Sequence, residues 1–165
     1  MDVTTSAVLF SSARQDWTTP RWLFDRLHAE FGFTLDAAAT PENALCPRYW
    51  TRAEDALQQT WTGDVFVNPP YSRTVGGWVH RGFEMAYDGV ADLVVMLVAS
   101  RTETEWFQTC AMRGAEIRFI KGRLHFGGSK NAAPFPSVVL VFDRHKRHPV
   151  AVSSLDQPRA AAQRR

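Results

Sequence analysis

The chain has only two cysteines, Cys46 and Cys110, far apart and without metal-ligand spacing. A disulfide-stapled scaffold and a cysteine metal site are therefore not expected, and no other metal site suggests itself; a reduced, cytoplasmic setting is. No basic segment followed by an apolar one opens the chain. Long apolar runs are also missing: the longest, from Val90 to Ala99, is interrupted by Asp92 and too short to span a bilayer, so no membrane partner is expected. No internal repeat and no glycine-rich phosphate loop occurs. The net charge is only +2, too small by itself to establish a nucleic-acid partner.

What is present is a core. At 165 residues and 45% hydrophobic content the chain is long and apolar enough for one domain, and too apolar for a disordered segment. Six Trp and eleven Phe are many for this length, and such rings serve both cores and base-stacking sites. Met1 to Gln15 lacks periodicity and reads as a flexible arm. Residues 16–148 read as the folded domain, and 149–165 as a basic tail. Arg144, Lys146, Arg147, Arg159, Arg164 and Arg165 cluster near the end, either as phosphate contacts or as a solvated face.

One stretch organises the rest: Asp64-Val65-Phe66-Val67-Asn68-Pro69-Pro70-Tyr71. Val65 to Val67 suit a strand covered on both faces. Pro69 and Pro70 fix φ and donate no backbone hydrogen bond, so the strand stops there. The carboxyl end of a strand is where open α/β sheets put their ligands. An exocyclic amine on a heteroaromatic ring is a poor nucleophile because its lone pair is delocalised. Accepting both of its N–H bonds favours the pyramidal geometry that frees the lone pair. The Asn68 side-chain oxygen is one acceptor, the Pro69 carbonyl can be the other, and Tyr71 can stack on a flat base. The bland alternative is a Pro-Pro turn with a capping Asn.

Around that centre, Thr19 and Pro20 suit the cap and first position of a helix whose apolar face carries Trp22, Leu23, Leu27 and Phe31, with Gly32 as terminator. Phe33 to Ala39 reads as a strand running into a small-residue turn, where backbone can approach a ligand closely. Asp36 either serves that ligand or caps the segment at Thr40. Asp55, thirteen residues before Asn68, is either a ligand contact or a surface residue between turns. Val75 to Tyr87 is helical in pattern, Leu93 to Val98 a buried strand, and Thr102 with Glu105 a capping box for a helix bearing Trp106, Phe107 and Cys110. Arg101, at a strand's carboxyl end, can meet phosphate or flank a helix in a salt bridge. Glu116 to Ile120 and Val138 to Phe142 are strands. Between them, Lys121, Arg123 and Phe126 among glycines can hold a phosphate backbone and stack a base, or form a charged turn.

The tetrapeptide Asn68-Pro69-Pro70-Tyr71 resembles motif IV of the amino-methyltransferases that use S-adenosylmethionine, in its adenine-N6 form. With Trp17-x-Thr-Pro, Leu35-Asp-x-Ala-Ala, Asp55-Ala-Leu, Trp61-x-Gly, Arg101-Thr-x-Thr-x-Trp-Phe and Gly122-Arg-Leu-x-Phe in this order, the chain resembles the phage-encoded Dam-type family of DNA N-6-adenine methyltransferases from about Asp16 to Phe142. The resemblance implies a Rossmann-like, three-layer α/β/α domain with a mostly parallel sheet and an antiparallel last strand. It implies S-adenosylmethionine as methyl donor and a flipped adenine of double-stranded DNA as acceptor. Asn68, Pro69, Pro70 and Tyr71 would be catalytic, and Thr18, Thr19, Pro20, Asp36, Ala37, Asp55 and Asn68 would hold the cofactor. Tyr71, Arg101, Arg123 and Phe126 would hold the DNA substrate, Phe126 as a second face for the base. The chain departs from the pattern in lacking the glycine-rich motif I and in a compressed motif II region. The same chemistry serves protein-glutamine and RNA methylation, and a catalytically inactive DNA-binding relative is a further alternative. With little room for a separate recognition domain, a homodimer is expected, in the cytoplasm of a bacterial host carrying a phage or prophage.

Overall fold

The computed structural model describes residues 17–127, 129–146 and 150–158. The expected arm over 1–15 and the basic residues Arg147, Arg159, Arg164 and Arg165 lie outside the described residues. Among the described residues, seven strands form one sheet: β1 Leu35–Asp36, β2 Arg48–Tyr49, β3 Gly63–Val67, β4 Ala91–Ala99, β5 Glu116–Ile120, β6 Ser137–Asp143 and β7 Val152–Leu155. Their order is β2-β1-β3-β4-β6-β5-β7. Six run one way and β6 runs against them. The fold is Rossmann-like and the antiparallel strand is where Val138 to Phe142 predicts it.

Alternation along the strands sorts the core into two layers. Val65, Val67, Val94, Met96, Val98, Leu140 and Phe142 face α2 (Val75–Tyr87) and the short helical segment after β4. Phe66, Val95, Leu97, Val139 and Val141 face α1 (Arg21–Phe31), which brings Leu23, Phe24 and Leu27. β4 and β6 are therefore apolar nearly throughout, as sequence runs without alternation predict for strands covered on both sides. α2 lies close to the sheet because of Gly82, where a Cβ would stand 2.8 Å from the Met96 sulfur. α1 ends at Gly32 in the left-handed conformation, φ 67°, its N–H donating to the His28 carbonyl at 2.8 Å.

Three expectations need correction. β7 lies in the stretch read as a basic tail and pairs parallel with β5, from Ile117 opposite Val152 to Ile120 opposite Leu155. The last strand is therefore not the antiparallel one. Only Leu155 of its four residues is buried, so no alternation announced it. The Thr102–Glu105 capping box does not form: Glu105 accepts from Thr109 at 2.9 Å and pairs with His80 at 3.2 Å, and a π-helical turn, Phe107–Ala111, runs on into α3 (Met112–Gly114). Among the described residues no helix is long and apolar enough to cross a membrane.

β1 lies between β2 and β3, so the chain leaves it to one side and returns on the other. That reversal opens a crevice at the carboxyl ends of β1 and β3, the place where open α/β sheets bind ligands.

Candidate active site

A cavity of about 860 Å³ fills that crevice. Asp36 and Ala37 to Thr40 enter it from the end of β1, Trp50 to Arg52 from β2, and Asn68 to Pro70 from β3. Trp17, Thr18 and Thr19 close it from the segment before α1. The small-residue turn is held in line with the sheet: Ala37 N–H donates to Phe66 O and Ala39 N–H to Trp50 O, both at 3.0 Å.

Asn68 is fixed from behind. Its Nδ2 donates to the Trp17 carbonyl at 2.6 Å and to Thr19 Oγ1 at 2.9 Å, which sets the amide's orientation. Oδ1 is thereby the amide's remaining polar atom, and it is buried with no hydrogen-bond partner among the described residues. A buried acceptor without a partner is uncommon and costs about 1–3 kcal/mol. Thr19 corrects a sequence expectation here: Pro20 is the helix's N-cap residue and no side-chain bond caps it. The Thr19 hydroxyl serves Asn68 instead.

Asp36 is 3% exposed. Its Oδ1 accepts from Ala38 N–H at 3.3 Å and its Oδ2 from Leu45 N–H at 3.1 Å. Burial pushes its carboxyl above the ordinary carboxylate value, and those two bonds pull it back only in part. It does not cap Thr40, whose N–H donates to Asn43 Oδ1 at 2.6 Å. Burial, and next the Asp36 charge, push the nearby Cys46 thiol up to about 11. Asp55 lines the cavity with an exposed side chain, and among the described residues it is the sole non-glycine at positive φ, 49°. Such a backbone persists only when its surroundings impose it. The Asp55 carbonyl accepts from Gln58 N–H at 2.8 Å, and the carbonyl of the next residue, Ala56, accepts from the buried Trp61 Nε1 at 2.8 Å.

Tyr71 and Phe126 lie outside the cavity wall, in a four-ring cluster with Trp17 and Phe135. Tyr71 stacks on Phe135, centroids 4.9 Å apart and planes 24° apart, and meets Phe126 edge-on at 5.6 Å. Its hydroxyl is buried without a partner among the described residues, as is Trp17 Nε1, and burial pushes the phenol above its ordinary value. The loop carrying Phe126 is tied to the site because Gly127 N–H donates to Thr18 O at 2.9 Å. Arg101 is exposed and its Nε donates to Glu103 Oε1 at 3.0 Å. Arg123 is exposed on the loop, with its carbonyl accepting from Gln157 Nε2 at 3.2 Å.

Thr18, Thr19, Asp36, Ala37, Asp55, Asn68, Pro69 and Pro70 thus converge on one cavity, with Pro20 buried beside it. The two arginines and the two rings stand off it. Sequence reading missed the Trp17 carbonyl, Trp50 and Phe135. Trp17 carried a signal as the first residue of Trp17-x-Thr-Pro, and Phe135 as an aromatic held between Pro134 and Pro136 on a loop. Among the described residues no group of three or more His, Cys, Asp or Glu is placed to hold a metal ion.

A two-sided α/β sheet, a cavity at its point of reversal and an Asn-Pro-Pro-Tyr turn on its wall are the marks of a Rossmann-like methyltransferase domain. The chain matches the Dam family of DNA N-6-adenine-methyltransferases over residues 6–164 and belongs to that family. It is 32% identical over 117 residues to the DNA N-6-adenine-methyltransferase of Escherichia phage T1, covering 68% of this chain and 48% of that protein. To the DNA N-6-adenine-methyltransferase of Haemophilus phage HP1 it is 31% identical over 107 residues, covering 63% of this chain and 61% of the relative. The chain therefore spans about half of one relative's length and about three fifths of the other's.

Proposed function

We propose that this chain methylates the N6 amine of adenine in double-stranded DNA, with S-adenosylmethionine as donor and the target base extruded from the duplex. One observation carries the reading: Asn68 Oδ1, a buried acceptor with no partner among the described residues, on an amide whose other end is locked by Trp17 and Thr19. An amine hydrogen satisfies that oxygen.

The cavity's chemistry fits the cofactor. Asp36, Asp55 and Thr18 offer polar groups on its wall, and Ala37 with its neighbours leaves room for close approach. When bound, S-adenosylmethionine supplies an electrophilic methyl group. Asn68 Oδ1 and the Pro69 carbonyl accept the N–H bonds of the target amine and favour its pyramidal form, an interaction that strengthens toward the transition state. Pro70 holds that turn rigid. Tyr71 and Phe126 hold the base, and Arg101 and Arg123 meet phosphates outside the cavity. The chain acts on DNA as a homodimer.

Asn68→Ala tests the assignment. Turnover should fall by roughly 10²-fold or more, the scale seen when one preorganised transition-state contact is removed. Calorimetric affinity for S-adenosylmethionine should stay near wild type. Retained turnover, or a matching loss of cofactor affinity, contradicts the role given to Asn68.

A further inference from the structure

Phe135 sits where a flat ligand of Tyr71 belongs. Its ring lies nearly parallel to Tyr71 at 4.9 Å, while Trp17 and Phe126 meet Tyr71 by edge contacts at 6.4 and 5.6 Å. Two polar groups of this cluster are buried without partners among the described residues, Tyr71 Oη and Trp17 Nε1. Trp17 adjoins Asn68, whose amide donates to its carbonyl at 2.6 Å, and Tyr71 follows three positions later on the same turn. A purely aromatic ligand leaves those groups unpaired, whereas a nucleobase carries ring nitrogens and an amine along its edge. Phe135 itself is half-buried, between exposed Pro134 and Pro136. Its backbone is anchored on both sides: Ala133 N–H donates to Leu124 O at 2.7 Å, and Pro136 O accepts from Ser100 N–H at 2.9 Å. The side chain can therefore swing away while the loop stays in place.

We infer that Phe135 is a stand-in for the target base: the extruded adenine displaces it from the face of Tyr71, and Trp17 Nε1 donates to an acceptor on the base edge. This rests on the adenine-methylation reading and adds to it a competitor for the base and a further contact, Trp17. Every engagement of a base must then first break the Phe135–Tyr71 stack, so the apparent affinity is reduced by the fraction of molecules in which the face is free.

The sign of one effect tests this. With the full chain, saturating S-adenosylmethionine and unmethylated genomic DNA, Phe135→Ala should lower KM for DNA by about two- to tenfold, the equivalent of an aromatic pair's stacking. Phe135→Leu keeps the bulk but has no flat face, so it guards against a folding defect and should move KM the same way. Trp17→Phe, which keeps a ring and deletes the N–H, should raise KM for DNA by a larger factor than it weakens calorimetric affinity for the cofactor, whose cavity Trp17 also lines. A KM that rises or stays constant in both Phe135 variants means that Phe135 is a wall of the base pocket, and it overturns the inference alone. If the wild-type chain transfers no methyl to DNA, the function proposed above falls and takes this inference with it.

Discussion

At the scale of the residue, the site depends on which groups are satisfied. Asn68 stands out in the sequence because a strand of Val65, Phe66 and Val67 runs through it into two prolines, which cannot continue the ladder. Thr19 was only half legible: Thr-Pro also reads as a helix start, and local pattern cannot tell a hydroxyl facing a backbone N–H from one facing a side chain 49 positions away. The structure separates the two roles, and a pair of variants checks the separation. Thr19→Val removes one of the two acceptors of Asn68 Nδ2 and should lower kcat about tenfold, the equivalent of one net hydrogen bond. Thr19→Ser keeps the hydroxyl and should remain near wild type. Equal kcat for both variants would return Thr19 to a packing role.

At the scale of the element, most strands and both long helices were readable from periodicity. β2 and β7 were not, because two residues are too short to alternate and Val-Ser-Ser-Leu has one buried position. Elements that periodicity does show are tied together by specific pairs as well. Arg118 of β5 donates from both terminal nitrogens to Glu30 at 2.7 Å, and from Nε to Glu116 at 2.7 Å, and lies 5.1 Å from the centre of the Phe31 ring. This fork ties the end of α1 to the far side of the sheet. Because Glu30 is partly exposed, Arg118→Ala should cost only about 1–2 kcal/mol in urea unfolding. The hydrogen bond from Arg118 holds the Glu30 carboxyl below its ordinary value of 4.5. A depressed carboxyl contributes stability that is present above the unfolded value and lost as pH falls through the folded one. The gap between wild type and Arg118→Ala should therefore narrow as pH is lowered below 4.5. A gap independent of pH would assign the effect to packing on Phe31.

At the scale of the whole molecule, the fold class was legible through the resemblance to the Dam-type family, and the place of the site through the strand that stops at Pro69. Apolar runs without alternation called for strands covered on both faces, and helical stretches between them called for covering layers. The cavity then lies at the carboxyl ends of the paired strands β1 and β3, lined by Asp36 from one and Asn68 from the other. What could not be read was which aromatics meet, since Trp17, Tyr71, Phe126 and Phe135 come from four separate segments that only the sheet brings together. The central claim is that this assembly marks adenine in DNA. The direct measurement is to incubate the protein with unmethylated DNA and labelled S-adenosylmethionine, digest the DNA to nucleosides, and separate them by chromatography with mass detection. Label recovered as N6-methyladenosine of the deoxy series is the predicted result. Label on cytosine, on protein, or on no nucleoside at all would contradict it.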